Sequence, residues 1–136
     1  MRTQTAECGR LVVVRMDYGE DVLECIEGAA SQNGIRDGLI LAGAGSLCRY
    51  HLHVVRSTNM PPGNAFVEGE GPFDILTVTG MVLDGRVHAH ITFADAQKAM
   101  GGHLERGCRV LTFAVVVLAE TPGARLAGWD QVGTLP

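Results

Sequence analysis

Apolar residues in this chain form short runs that are separated by glycine, proline and small polar residues. Runs of this length, rich in valine, isoleucine and leucine and bounded by turn residues, are typical of β-strands. The pattern predicts strands at 10–16, 38–56, 65–69, 73–83, 86–93 and 108–120. Asp84-Gly85 is a strong signal for a two-residue hairpin turn. We therefore expect a sheet-rich domain, with a glycine-rich bend inside the segment 38–56.

One segment, 19–34, has the period of an amphipathic helix instead. Its apolar stripe is formed by Val22, Cys25, Ile26, Ala29 and Ala30. Acidic residues near its start suit the positive end of the helix dipole, and Asn33-Gly34 is a typical helix stop. Strands and a single convincing helix together predict an α+β fold.

Length and composition predict one domain. The chain has 136 residues, 46% of them apolar and 19% charged, which allows a real core and does not fit a disordered chain. No linker, repeat or second domain interrupts it, so we expect a single domain over 1–136 with an irregular tail at 121–136. The longest apolar run, 113–119, is far too short to cross a bilayer, and the N-terminus lacks the apolar run of a signal peptide. These features predict a cytoplasmic protein with no membrane contact.

The cysteines and the charge narrow the function classes. Cys8, Cys25, Cys48 and Cys108 are widely spaced without a CxxC motif, so we expect buried free thiols. The formal net charge is −4, with one lysine and ten scattered arginines. DNA-binding domains normally carry a basic cluster that neutralises phosphates. The sequence therefore offers no basic footprint for DNA.

The strongest chemical signal is the segment HAHITFADAQKAMGGH at 88–103. His88 and His90 lie on the same face of a strand, roughly 7 Å apart along it, and can converge on one ion. His103 is a natural third ligand, because Gly101-Gly102 lets the backbone pass close to a neighbouring strand. Three histidines leave a fourth position on zinc open, as in catalytic sites. The alternative is that they are ordinary polar residues on a strand.

Other polar residues give weaker signals. His51 and His53 form a second HxH pair, which we interpret as surface-facing or intersubunit polar residues. Glu70 lies beside a GPF motif and could approach a site. Arg49 and Arg86 are candidate anion contacts, although solvated strand ends are an equally simple interpretation.

Three segments carry a resemblance to a known family. They are GEDVLECIEGAASQNGIRDGLILAGAGSL, EGPFDILTVTG and HAHITFADAQKAMGGHLERGCRVLTFAVVVL. In this order they resemble the PPC (plants and prokaryotes conserved) domain in its stand-alone bacterial form, over about residues 8–120. The resemblance implies a mostly antiparallel β-sheet with one principal α-helix, and a homotrimer. It also implies that His88, His90 and His103 hold a metal, usually assigned as zinc. Plant relatives carry AT-hooks beside the domain, and this chain has none.

The fold implied by the resemblance is also similar to that of acetolactate decarboxylase, which uses a three-histidine zinc site. This similarity makes zinc-dependent chemistry on a small carbonyl or carboxylate substrate worth considering. Glu70 would then be an acid/base candidate, and Arg49 or Arg86 would hold a carboxylate. Three hypotheses stay open: a regulatory or interaction protein with a DNA or protein partner, a small zinc lyase or hydrolase with a small-molecule ligand, and an oligomer that metal merely stiffens.

Overall fold

The computed structural model describes residues 1–135, which form six strands and one helix. In chain order the elements are β1 Leu11–Asp17, α1 Val22–Gln32, β2 Gly38–Val55, β3 Asn64–Leu83, β4 Arg86–Ala94, β5 Ala99–Leu104 and β6 Arg109–Glu120. Every strand pair is antiparallel, in the order β1-β6-β2-β3-β4-β5. The expected α+β fold with a mostly antiparallel sheet and one principal helix is confirmed.

The sheet closes on itself because β2 also pairs with β5. Strands β2, β3, β4 and β5 thus surround a barrel-like core, while β6 and β1 extend the sheet along the other half of β2. One strand can serve both neighbours because β2 is 18 residues long and its register shifts between Leu47 and Arg49. This closure places the C-terminal part of β2 beside β5, which pairs with β4 on its other side.

Two strand predictions differ from the structure. Separate strands were expected at 65–69 and 73–83, but β3 runs through both without a break. Gly71 has a φ of 150°, so the chain bends at the GPF motif without leaving the sheet. Strand β5 was not among the predicted strands, because its sequence AMGGHL lacks β-branched and aromatic residues.

The core lies between one face of the sheet and α1. On β4, the buried residues Val87, Ala89, Ile91 and Phe93 alternate with more exposed ones. Since side chains alternate between the two faces of a strand, the histidines of β4 must point to the face opposite the core.

The N-cap residue of helix α1 fixes the helix to the turn between β5 and β6. Asp21 is its N-cap, and one carboxylate oxygen accepts a hydrogen bond from the Glu24 amide at 3.1 Å. The other oxygen accepts from the Gly107 amide, at 2.7 Å, in the turn between β5 and β6. Asp21 is only 3% exposed. Its two hydrogen bonds link the helix directly to the turn that follows β5.

All four cysteines are free thiols, but they are not all buried as expected. Cys8 is exposed, Cys25 and Cys48 are half-buried, and only Cys108 lies in the core. Cys8 precedes the first strand, where no sheet covers it. Burial raises the pKa of Cys108 to about 11, which keeps this thiol protonated and unreactive at neutral pH.

No helix within residues 1–135 is long and apolar enough to cross a membrane.

Candidate metal centre

Cross-strand register places three histidines in one row. His90 on β4 lies directly opposite His103 on β5, and His103 lies directly opposite His53 on β2. Directly opposed residues of antiparallel strands have their Cβ atoms roughly 5 Å apart. His88 precedes His90 by two residues and therefore shares its face. Four of the five histidines thus meet on the face opposite the core.

Two glycines make this close approach feasible. A Cβ atom added at Gly101 would come within 2.5 Å of the Ile91 carbonyl oxygen, and one at Gly102 within 2.8 Å of the His53 carbonyl oxygen. These contacts are shorter than van der Waals distances, so a side chain at either position would push β5 away from its neighbours. Glycine there brings His103 between His90 and His53, in agreement with the role expected for Gly101-Gly102.

The rings of His88, His90 and His103 lie close together and are steeply inclined to one another. Their ring centres are 5.4 Å (His88–His90), 4.6 Å (His88–His103) and 5.7 Å (His90–His103) apart, and the ring planes are inclined by 89°, 73° and 79°. Three imidazoles that bind a tetrahedral zinc at the usual N–Zn distance have ring centres about 5 Å apart. The ring centres of the sequence-predicted ligands thus have separations expected of zinc ligands, whereas the set within residues 1–135 whose ligand atoms all lie within 4.8 Å of one another is a different one.

A second set of donors overlaps with the first. One ligand atom from each of His53, His103 and Glu105 lies within 4.8 Å of the others. Glu105 Oε1 is 2.5 Å from His53 Nδ1 and 3.4 Å from His103 Nδ1, and the rings of His53 and His103 stack at 4.2 Å. His103 Nδ1 is buried and has no hydrogen-bond partner among residues 1–135. His103 therefore belongs to both sets and has an unsatisfied nitrogen.

His53 and Glu105 were not among the ligands predicted from the sequence. His53 was expected at the surface or between subunits, but the β2–β5 pairing encloses it in the cluster. That pairing is long-range, and no local pattern predicts it. Glu105 did carry a signal, because it follows His103 by two residues and so continues the same face.

The electrostatics of the cluster favour neutral imidazoles. The pKa of His90 is lowered by partial desolvation of its ring and by the neighbouring His88 and His53. The pKa of His103 is lowered by burial, His53 and His88, against an opposing effect of Glu105. Metal ions bind the neutral form of imidazole. The cluster thus keeps its nitrogens available as ligands at neutral pH.

A carboxylate from the C-terminal segment completes the surroundings. Asp130 Oδ2 lies 3.0 Å from His88 Nδ1, and Asp130 Oδ1 accepts a hydrogen bond from Arg86 Nη2 at 2.7 Å. Burial alone would raise the pKa of Asp130, but the bonds from His88 and Arg86 outweigh it and the pKa is lowered. Asp130 was not predicted as part of the site, since nothing in the sequence of an irregular tail indicates where the tail folds back.

The three catalytic candidates lie in two places, with Arg86 apart from the neighbouring Arg49 and Glu70. Arg86 is beside the cluster, where it is paired with Asp130. Arg49 lies opposite Glu70 across β2 and β3 and forms an ion pair with Glu68 at 3.1 Å. Because Arg49 precedes His53 by four residues, it lies about 13 Å along the strand from the cluster. Glu70, next to Arg49, lines a shallow cleft that also includes Cys48, Gly71, Pro72 and Leu111.

The fold and this histidine cluster together define a class of protein. The family model of the Plants and Prokaryotes Conserved domain, abbreviated PCC or PPC, matches residues 3–122, and the chain belongs to this family.

Solved structures show the same fold. A plant- and prokaryote-conserved protein from Pyrococcus horikoshii has a TM-score of 0.79 at 24% identity, covering 98% of this chain and 100% of that one. The metal-containing protein AF0104 from Archaeoglobus fulgidus has a TM-score of 0.79 at 22% identity, covering 92% and 89%. A provisionally assigned DNA-binding protein from Bacteroides thetaiotaomicron has a TM-score of 0.69 at 18% identity, covering 90% and 87%.

The chain also matches part of a much longer protein. It is 31% identical over 119 residues to the bifunctional protein GlmU of Synechococcus sp. strain JA-2-3B'a(2-13). The match covers 87% of this chain but only 18% of that relative. The likeness is therefore to one domain of the longer protein.

Proposed function

We propose that this chain is a zinc-binding PPC-domain protein with a regulatory or interaction role, in which His88, His90 and His103 hold the ion and three copies assemble. The observation that carries the proposal is the convergence of four histidines and two carboxylates on one patch of the sheet. A cluster of this kind is costly unless it binds something, because crowded imidazoles repel one another when protonated and leave a buried nitrogen unsatisfied.

The chemistry of the donors favours zinc. Imidazole nitrogens with nearby carboxylates suit borderline metals such as zinc better than calcium or magnesium, which prefer oxygen ligands. When bound, such an ion polarises a carbonyl oxygen or lowers the pKa of a bound water. The Archaeoglobus fulgidus protein of the same fold is metal-containing, which supports a metal in this fold.

Exposed apolar residues support assembly. Leu11 and Val13 on β1, Leu76 on β3 and Phe113 on β6 are between 44% and 67% exposed in the single chain. They occupy strand positions that alternate with the core residues, and α1 does not cover them. An apolar sheet face normally packs against another layer, and a ring of identical subunits provides one.

Two observations bear on the partner of such an assembly, and they point in opposite directions. The Bacteroides relative is a provisionally assigned DNA-binding protein, whereas this chain has a net charge of −4 and scattered arginines. Fluorescence anisotropy with labelled duplex DNA tests the DNA version of the role. Binding at low salt that weakens steeply as salt rises supports it, and undetectable binding at low salt leaves a protein partner as the regulatory target.

An enzymatic role is the second candidate. Three histidines on zinc leave a position open, and His90 is exposed in the single chain, so a substrate could reach the ion. Arg86 is the catalytic candidate nearest the cluster, while Glu70 and Arg49 require a second copy to bring them near. A panel of small carbonyl and carboxylate substrates, assayed for lyase and hydrolase turnover, tests this candidate. Turnover that stops with a chelator and returns with zinc supports it.

A further inference from the structure

We propose that Asp130 is a positioning residue for the metal centre, delivered to it by the C-terminal segment 122–135. The inference rests on the proposed zinc site and deepens it. Residues 123–135 lie beyond the part of the chain that the family model matches, which ends at residue 122.

The carboxylate of Asp130 is fully engaged. Its side chain is only 7% exposed, and a buried carboxylate is unfavourable unless it is paired. One oxygen lies 3.0 Å from His88 Nδ1 and the other 2.7 Å from Arg86 Nη2. The two bonds fix both the position and the orientation of the carboxylate.

This contact determines which nitrogen of His88 can bind a metal. A neutral imidazole carries one N–H donor and one acceptor nitrogen. When Nδ1–H donates to Asp130, only Nε2 keeps its lone pair for a metal. Carboxylates that hold ligating histidines in this way orient the ring and increase its basicity. Asp130 thus selects the tautomer of His88 that leaves Nε2 free to bind a metal.

Hydrogen bonds anchor the C-terminal segment to the N-terminal residues and to the loop before β2. The Leu126 amide donates to Asp37 Oδ1 at 3.1 Å, which ties the segment to the loop before β2. Gln4 and Arg125 exchange two hydrogen bonds, at 2.6 and 2.9 Å. The Trp129 amide donates to the Leu126 carbonyl at 3.1 Å and forms the turn that precedes Asp130. Asp130 therefore reaches His88 from a segment that is already folded onto the domain.

Arg86 keeps the contribution of Asp130 mainly geometric. It lies two residues before His88 on β4, on the same face, and its positive charge balances the carboxylate. The pair adds little net charge at the site. The loss expected without Asp130 is therefore a loss of orientation more than of electrostatic attraction.

Zinc affinity is the first readout. We would measure zinc dissociation constants by competition with a chelating indicator for the native chain, Asp130→Ala and Asp130→Asn. Asp17→Asn is the control, because Asp17 is an exposed carboxylate on β1 that is also paired with an arginine. Asp130→Ala is expected to weaken zinc binding about 10- to 100-fold. Asp130→Asn should weaken it less, since the amide oxygen can still accept from Nδ1–H, and the control should stay at the native value.

The outcomes separate the two claims. If the native chain binds no zinc, the proposed function fails. If the native chain binds zinc and Asp130→Ala binds it equally well, only the role of Asp130 is overturned.

A second readout gives its decisive result on the native protein alone. In the zinc-free native protein, long-range ¹H–¹⁵N NMR spectra report which ring nitrogen of His88 carries the proton. We expect the Nδ1–H tautomer in the native chain and a shift toward Nε2–H in Asp130→Ala. A native His88 that is mainly protonated on Nε2 would contradict the proposal directly.

Discussion

Neighbours, rather than motifs, give each histidine its chemistry. His51 and His53 stand in the same HxH motif, yet they have different surroundings. His51 Nδ1 lies 2.6 Å from the Arg106 carbonyl oxygen, whereas His53 stacks on His103 and contacts Glu105. Only the second of the two is in a position to join a metal site.

The lowered pKa values predict how the stability of the zinc-free protein depends on pH. His90 and His103 have folded pKa values below the ordinary value of 6.5, so the unfolded chain takes up protons more readily than the folded one. Stability should therefore be fully present above about pH 6.5 and fall as the pH drops from there through the folded pKa values. Urea unfolding midpoints at pH 7.5 and 5.5 measure the effect.

A variant with His90→Asn and His103→Asn is the comparison for this effect. It keeps polar side chains but removes both titrating groups, so its stability should change less between the two pH values. An equal change in both proteins would mean that these histidines do not cause it.

The site could be predicted at the residue scale only where local spacing carries the information. The spacing of His88 and His90 and the glycines before His103 were enough to propose a shared site. His53 and Asp130 reach it through the β2–β5 closure and through a folded tail. Both contacts join residues that are 42 or more positions apart in sequence, so no local pattern contains them.

At the scale of elements, the glycine strand β5 determines whether the site forms. This strand was not predicted from the sequence pattern, because glycine weakens the usual strand signal. In the structure the same glycines let β5 fit closely against β4 and β2. The glycines that make β5 difficult to predict from the sequence are thus the residues that allow it to pack closely.

Substitution of one such glycine should be costly. In Gly101→Ala the new methyl group would meet the Ile91 carbonyl oxygen, so β5 must shift. We expect a loss of about 1–3 kcal/mol in the free energy of unfolding, together with weaker zinc binding. Gly28→Ala in α1 is the matched control: it meets nothing within 4 Å and should stabilise the protein by about 1 kcal/mol. Urea denaturation of both variants gives the comparison, and equal effects would refute the packing argument.

Asp21 should be important for the same region. Asp21→Ala removes the helix cap and leaves the Gly107 amide without its acceptor. We expect a loss of about 2–4 kcal/mol, since both a cap and a buried hydrogen bond are lost. Chemical denaturation measures it, with Asp17→Ala at an exposed position as the control. A loss as small as that of the control would mean that the cap does not hold the turn.

For the whole molecule, fold class and strand content could be predicted from the sequence, whereas the closure of the sheet could not. Short apolar runs reveal strands, but the pairing of β2 with β5 depends on which distant edges meet. The exposed apolar positions likewise acquire meaning only when strand faces are known. Val13 and Phe113 stand out because they lie opposite the core on neighbouring strands.

The proposed assembly predicts the behaviour of a surface variant. Phe113→Asp places a charge on the exposed apolar face and should convert a trimer into monomers. Val132→Asp also places a charge at an exposed apolar position, in the C-terminal segment outside the sheet, and should leave the mass unchanged. Sedimentation velocity gives the masses. A native chain that sediments as a monomer would contradict the assembly itself.

The central claim is that His88, His90 and His103 hold zinc. Metal content by mass spectrometry, on protein purified without a histidine tag and beside the double variant His88→Ala/His90→Ala, tests it most directly. We predict near-stoichiometric zinc in the native protein and its loss in the variant. A native protein that contains no metal, even after incubation with zinc, would contradict the account and reduce the histidines to polar residues of the sheet.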